Sequence, residues 1–76
     1  MESMYDVVKK VSKKHGKVVE EGDDYFLIKL ETYSVLVVCT QDARRIAELA
    51  ARFNPAFVYI YVRDVFGERF EVLDNR

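Results

Sequence analysis

The segment Phe57-Val58-Tyr59-Ile60-Tyr61-Val62-Arg63 constrains the fold more than any other stretch of this chain. Side chains alternate across an extended strand. Val58, Ile60 and Val62 therefore share one sheet face, and Phe57, Tyr59, Tyr61 and Arg63 share the other. The aliphatic set suits a core covered by helices. The aromatic set, ending in a guanidinium, needs a second environment. The shortage of volume sharpens the point: the chain has 76 residues, 50% of them hydrophobic, with five Phe and five Tyr. A domain of that size buries only about 60 to 65% of the surface its extended chain exposes. More apolar surface is present than one such domain easily hides.

The remaining elements can be read around that strand. Ser3 and Asp6 form a capping-box-like start to a helix over residues 4–14, with Met4, Val7, Val8 and Val11 as its apolar stripe and Gly16 as a left-handed stop. Residues 17–20 form a short strand, and Glu21-Gly22-Asp23-Asp24 is turn chemistry. Tyr25 to Glu31 and Ser34 to Thr40 are strands joined tightly around Thr32 and Tyr33, so the three strands make an antiparallel meander. Thr40 caps a second helix with Asp42 in its first turn, Ala43, Ile46, Ala47, Ala50 and Phe53 on its apolar face, and Asn54-Pro55 as its stop. Strands at 57–62 and 69–73 flank a turn at Asp64 to Gly67. The expected fold is α/β (α+β), a single domain over residues 1–76 in the order αβββαββ. Its five-stranded sheet is mixed, because residues 34–62 form a strand-helix-strand crossover between parallel strands. Both helices are expected on one face of that sheet.

With the helices on one face, the other face is open. It carries Phe57, Tyr59, Tyr61 and Arg63, and Tyr25 and Lys29 join them if Phe26, Ile28 and Leu30 are the core set of their strand. The strand from Ser34 is apolar in both phases, as expected of a central strand covered on both sides. Two occupants compete for the open face. A second copy can stack on it, or bases of a single strand can stack on its rings, with Arg63, Lys29 and Arg69 meeting phosphates. Both are compatible with subunits enclosing a strand between their aromatic faces.

Other chemistries find no motif. Lys9, Lys10, Lys13, Lys14, His15 and Lys17 form a basic cluster that reads as the solvated side of an amphipathic helix, and the acids from Glu20 to Asp24 reverse its sign at once. Net charge is −1, so no global positive field recruits nucleic acid. Glu21 to Asp24 lacks the second acidic group or phosphate loop of a Mg²⁺ site. His15 has no nucleophile beside it. Cys39 reads as a small buried hydrophobe, and one Cys with one His cannot supply a structural zinc site. No catalytic residue, cofactor or metal is expected. The chain has no membrane-length apolar run and no signal-like start, so the expected location is the cytoplasm. One Gln, two Asn and 33% charged residues resemble the composition of heat-adapted proteins.

Two families resemble the chain. The order of elements, with YDVVKKVSKKHGKVVEEGDDYFLIK and AELAARFNPAFVYIYVRD, resembles the nuclease-like core of archaeal Holliday-junction resolvases and tRNA-splicing endonucleases. Their catalytic residues do not carry over: the resolvase Glu-x-Lys position reads Val37-Val38-Cys39, the position nearest the splicing-endonuclease His is Tyr33, and no Lys precedes Phe57. This resemblance implies a catalytically silent relative acting through protein contacts. In its small size and in the strand bearing Phe57, Tyr59 and Tyr61, the chain also resembles the archaeal ThermoDBP-type single-stranded DNA-binding proteins. That resemblance implies an oligomer that grips bases through aromatic and apolar side chains. The leading expectation is a non-enzymatic homo-oligomer that binds single-stranded nucleic acid, ssDNA by this resemblance, through Phe57, Tyr59, Tyr61, Arg63, Tyr25, Lys29 and Arg69.

Overall fold

The computed structural model describes residues 2–76. Its elements are α1 (Met4–His15), β1 (Lys17–Glu21), β2 (Tyr25–Lys29), β3 (Ser34–Val38), α2 (Ala43–Phe53), β4 (Phe57–Asp64) and β5 (Gly67–Asp74). This is the αβββαββ order read from the sequence, in one α+β domain. The strands make a single five-stranded sheet in chain order. β1, β2 and β3 form an antiparallel meander, β4 pairs parallel with β3, and β5 returns antiparallel along β4.

Local signals set the helix ends. The Ser3 hydroxyl accepts the Asp6 N–H at 3.1 Å and starts α1. The helix ends at Gly16, whose N–H donates to the Ser12 carbonyl at 2.8 Å. Gly16 is extended (φ −145°, ψ −163°) rather than left-handed. Space selects glycine here, because a Cβ would stand 3.2 Å from the Ser12 carbonyl oxygen. The cap of α2 is Asp42, two residues closer to the helix than the Thr40 expected. Its carboxylate accepts the N–H groups of Arg44 at 3.0 Å and Arg45 at 3.4 Å, while Thr40 Oγ1 accepts the N–H of Asp42 itself. Asn54 closes α2 in the left-handed conformation (φ 46°), as an Asn before Pro55 suits.

The placement of the helices on one face is corrected by the structure: α1 and α2 lie on opposite faces. On one side Leu49 of α2 packs with Tyr25, Leu27, Leu36, Val38 and Val58, joined by Ile46, Ala50, Phe53 and Ile60. On the other, Tyr5 and Val8 of α1 pack with Phe26, Val35, Val37 and Tyr61, joined by Val18, Ile28, Phe57 and Phe70. The reason lies in β2 and β3, where Phe26, Leu27, Leu36, Val37 and Val38 are all buried although neighbours in the chain point to opposite faces. Stacking both helices on one side would leave Phe26, Val35 and Val37 in water. α1 leads directly into an edge strand with antiparallel pairing, so no crossover rule fixes its side, and the apolar phase of β2 and β3 decides.

Turns and ion pairs fasten the two layers. A Cβ on Gly22 would stand 2.2 Å from the ring of Tyr25. That ring cannot yield cheaply, since it is buried against Phe53 at a centroid distance of 5.4 Å. Gly22→Ala is therefore expected to destabilise the fold by about 1–3 kcal/mol, read as a lowered urea midpoint with unchanged slope.

Above the same ring, Arg45 reaches across from α2 to clasp Asp24 with two parallel hydrogen bonds, Nε at 2.9 Å and Nη2 at 3.0 Å. The guanidinium hydrogen bonds hold the Asp24 carboxyl below its ordinary pKa. A depressed carboxylate binds fewer protons in the native state than in the unfolded chain. Its contribution is therefore present at neutral pH and is lost as pH falls below the usual aspartate range. Asp24→Asn is expected to weaken the chain at pH 7 and to flatten the acid limb of its stability profile, as urea titrations at pH 3 and pH 7 would show.

Candidate nucleic-acid interface

The α1 face is covered over only part of its width. Lys9 and Lys13 bind Glu21 of β1 at 3.2 and 3.0 Å, which draws that flank of the helix toward the sheet edge. Tyr5, Val8 and Ser12 point into the sheet. At 100° per residue, Met4, Val7 and Val11 then fall on the opposite flank, toward β4 and β5. They remain exposed, Val7 by 44% and Val11 by 51%. The sheet beside them is also bare. Tyr59 and Val72, partners across the β4–β5 ladder, are 37% and 58% exposed. The result is an exposed shelf of Tyr59, Val72 and half-buried Phe57, on the side of the sheet toward which the Val7 and Val11 flank of α1 is turned.

Aromatic and cationic groups close the Phe57 end of the shelf. At the Phe57 end, Tyr33 from the β2–β3 turn meets the Phe57 ring edge-on, with centroids 5.8 Å apart, and the Arg76 guanidinium lies 4.6 Å above the same ring. Arg76 is also tied to Asp74. Arg63, opposite Glu68, lies on the same face beyond the α1-covered Tyr61 and forms no ion pair among the described residues. From Phe57 to Arg63 the strand spans roughly 20 Å.

The structure sorts the residues expected at the site. Phe57, Tyr59 and Arg63 share the α1 face as read from the alternation. Tyr61 shares the face but not the opening: it is buried beneath α1, 6.1 Å from the Tyr5 ring and 5.7 Å from Phe70. Its hydroxyl donates to Glu68 at 2.5 Å, which raises its pKa above the ordinary value. Tyr61 is thus a core residue with no face free for a base. Tyr25 lies on the opposite face, buried against Phe53 and under Arg45. Lys29 follows Tyr25 and Leu27 in phase and so belongs to that opposite side, exposed at the sheet end. Arg69 also lies there, paired with Val62, and its guanidinium is held by Asp64 at 2.7 Å and Glu71 at 3.1 Å. These three do not join the aromatic strand. The structure adds Tyr33, Val72, Val7, Val11 and Arg76. Of these, Val72 is reachable from sequence by running β5 back along β4 from the tight turn.

Cys39 is exposed, not the buried hydrophobe that its place beside the Val35–Val38 run suggested. It falls just past the end of β3. Its thiol pKa is nonetheless raised by partial burial and by the neighbouring Asp6 and Asp24, the reverse of what activates a nucleophile. No group of three His, Cys, Asp or Glu side chains stands together to hold a metal among the described residues. No helix among them is long and apolar enough to cross a membrane. Comparisons with protein-family models, curated proteins and solved structures find no match to this chain.

Proposed function

We propose that this protein is a non-enzymatic, homo-oligomeric binder of single-stranded nucleic acid, DNA in the first instance, and that the shelf on the α1 face receives the bases. The observation that carries the reading is the exposed Tyr59 ring, set in line with Phe57 on an interior strand, with Arg76 over the Phe57 ring and Arg63 farther along the same strand face. A ring standing on a sheet offers its face to any base, so stacking favours single strands with little sequence preference. Each stacked base is worth about 1–3 kcal/mol. The Arg76 guanidinium suits a phosphate beside the stacked bases, and Arg63 suits one farther along the strand. With net charge −1, affinity has to come from stacking more than from long-range attraction. Anisotropy of a labelled oligo-dT at low salt tests the reading. Saturable binding that survives moderate salt supports it, and absence of binding at low salt ends it.

A second reading, a catalytically silent structural subunit that works through protein contacts, is favoured by the β4–β5 turn. Val65 and Phe66 at its tip are 93% and 92% exposed. An apolar pair held so far into water fits a protein contact better than a nucleic-acid one. In that case oligo-dT would not bind, and substitutions at the tip would abolish association.

A further inference from the structure

We propose that two copies of this chain join through antiparallel pairing of their β5 strands about a two-fold axis at Phe70, making one continuous ten-stranded sheet. This surface is argued from the sheet edge alone and does not rest on the nucleic-acid reading.

The two edges of the sheet are built differently. β1 is five residues long, and its register shifts between Val18 and Glu20. A short, irregular edge resists further pairing. β5 runs for eight residues in unbroken register, from Gly67 opposite Asp64 to Asp74 opposite Phe57, and contains no Pro and no Lys. Nothing blunts it. Its free backbone groups are identifiable: in a two-residue hairpin the residues flanking the loop, Asp64 and Gly67, exchange hydrogen bonds, so the odd-numbered residues of β5 bond inward. The Asn75 N–H, which donates to the Ala56 carbonyl at 2.9 Å, continues that parity. Glu68, Phe70, Val72 and Asp74 therefore turn their amides and carbonyls outward.

Charge favours one register over its two neighbours. With the axis at Phe70, Arg69 of each copy lies across from Glu71 of the other, giving two opposite-charge pairs on one face, while the two Phe70 rings meet on the other. Moving the axis to Glu71 sets Glu71 against Glu71 and Glu68 against Asp74 twice, which like-charge repulsion disfavours. Moving it to Arg69 sets two guanidiniums together. The Phe70 register has an independent consequence. It sets Phe66 and Val65 of each copy across from Asp74 and Asn75 of its partner, with Val72 and Leu73, 58% and 47% exposed, as the diagonal neighbours. Val65 and Phe66, the most exposed apolar side chains among the described residues, then gain a diagonal apolar neighbour each.

Mass in solution, measured by light scattering across a concentration series, tests the interface. The wild-type chain is expected at twice 8.9 kDa. Val72→Pro removes an outward amide that no intrachain bond uses, and is expected to give 8.9 kDa with an unchanged circular dichroism spectrum. Val72→Lys serves the same purpose if the proline disturbs the strand. Arg69→Glu is expected to weaken the dimer at least tenfold, and the double variant Arg69→Glu with Glu71→Arg to restore it. A monomeric wild type at millimolar concentration, a dimer indifferent to both Val72 substitutions, or a double variant that fails to recover would overturn the proposal.

Discussion

Phe26→Ala is expected to be the most damaging single substitution in the chain, costing about 3–5 kcal/mol and leaving a large part of the population unfolded. The side chain is wholly buried. Its ring sits 5.4 Å from Tyr5, the residue by which α1 holds the sheet, so truncation opens a cavity in the middle of that layer and loosens the helix together with it. A protein of this length has little stability to spare. Leu49→Ala, from α2, is expected to cost about 2–5 kcal/mol for the same reason on the other side. Urea unfolding at 25 °C reads both values. Two large losses from opposite phases of the sheet follow from two covered faces. A mild effect at Phe26 would contradict a closed α1 layer.

The second large effect is on binding. Tyr59→Ala is expected to weaken oligo-dT binding by roughly 5- to 150-fold, the equivalent of one lost base stack at about 1–3 kcal/mol. Because the ring is 37% exposed, the substitution is expected to cost only about 1 kcal/mol of stability, so binding is compared at a temperature where both proteins are folded. Lys13→Ala with Lys14→Ala is expected to matter much less: Lys13 is engaged by Glu21, and both residues lie on α1 away from the shelf floor. Equal losses would move the site to the basic helix. Tyr61→Ala is no test of stacking, because that ring is core and its loss would be a loss of fold.

Particular residues explain what the sequence disclosed and what it withheld. Element order and most boundaries follow from strong local signals: Ser3 and Asp6, Asn54-Pro55, and the period-2 runs of β2, β3 and β4. The sidedness of α1 was also present in the sequence, in the double apolar phase of Val35 to Val38, which requires cover on both faces. That pattern is equally satisfied by a partner stacked on an open face, so alternation by itself assigns α1 to neither side. The strand phase of Phe57, Tyr59 and Arg63 was legible because alternation is local. Whether a given ring is wet was not. Tyr61 and Tyr59 are two residues apart and identical in pattern, yet Tyr5 roofs only the first. The apolar run of β2 fits either phase, so sequence alone does not fix the face of Tyr25 and Lys29, and it supplies no β5 register for Arg69. The hairpin pairing Asp64↔Gly67 fixes that register and puts Arg69 beside Val62 on the other side.

The central claim is the location of the base-binding surface, and backbone chemical-shift mapping of the ¹⁵N-labelled protein during titration with unlabelled oligo-dT tests it most directly. The account predicts perturbations concentrated at Phe57, Tyr59 and Val72 on the sheet, at Val7 and Val11 on α1, and at Tyr33, Arg63 and Arg76 around the rim. Shifts confined to the α2 face, around Ala47, Ile60 and Leu73, or to Lys13 through Lys17 would contradict it.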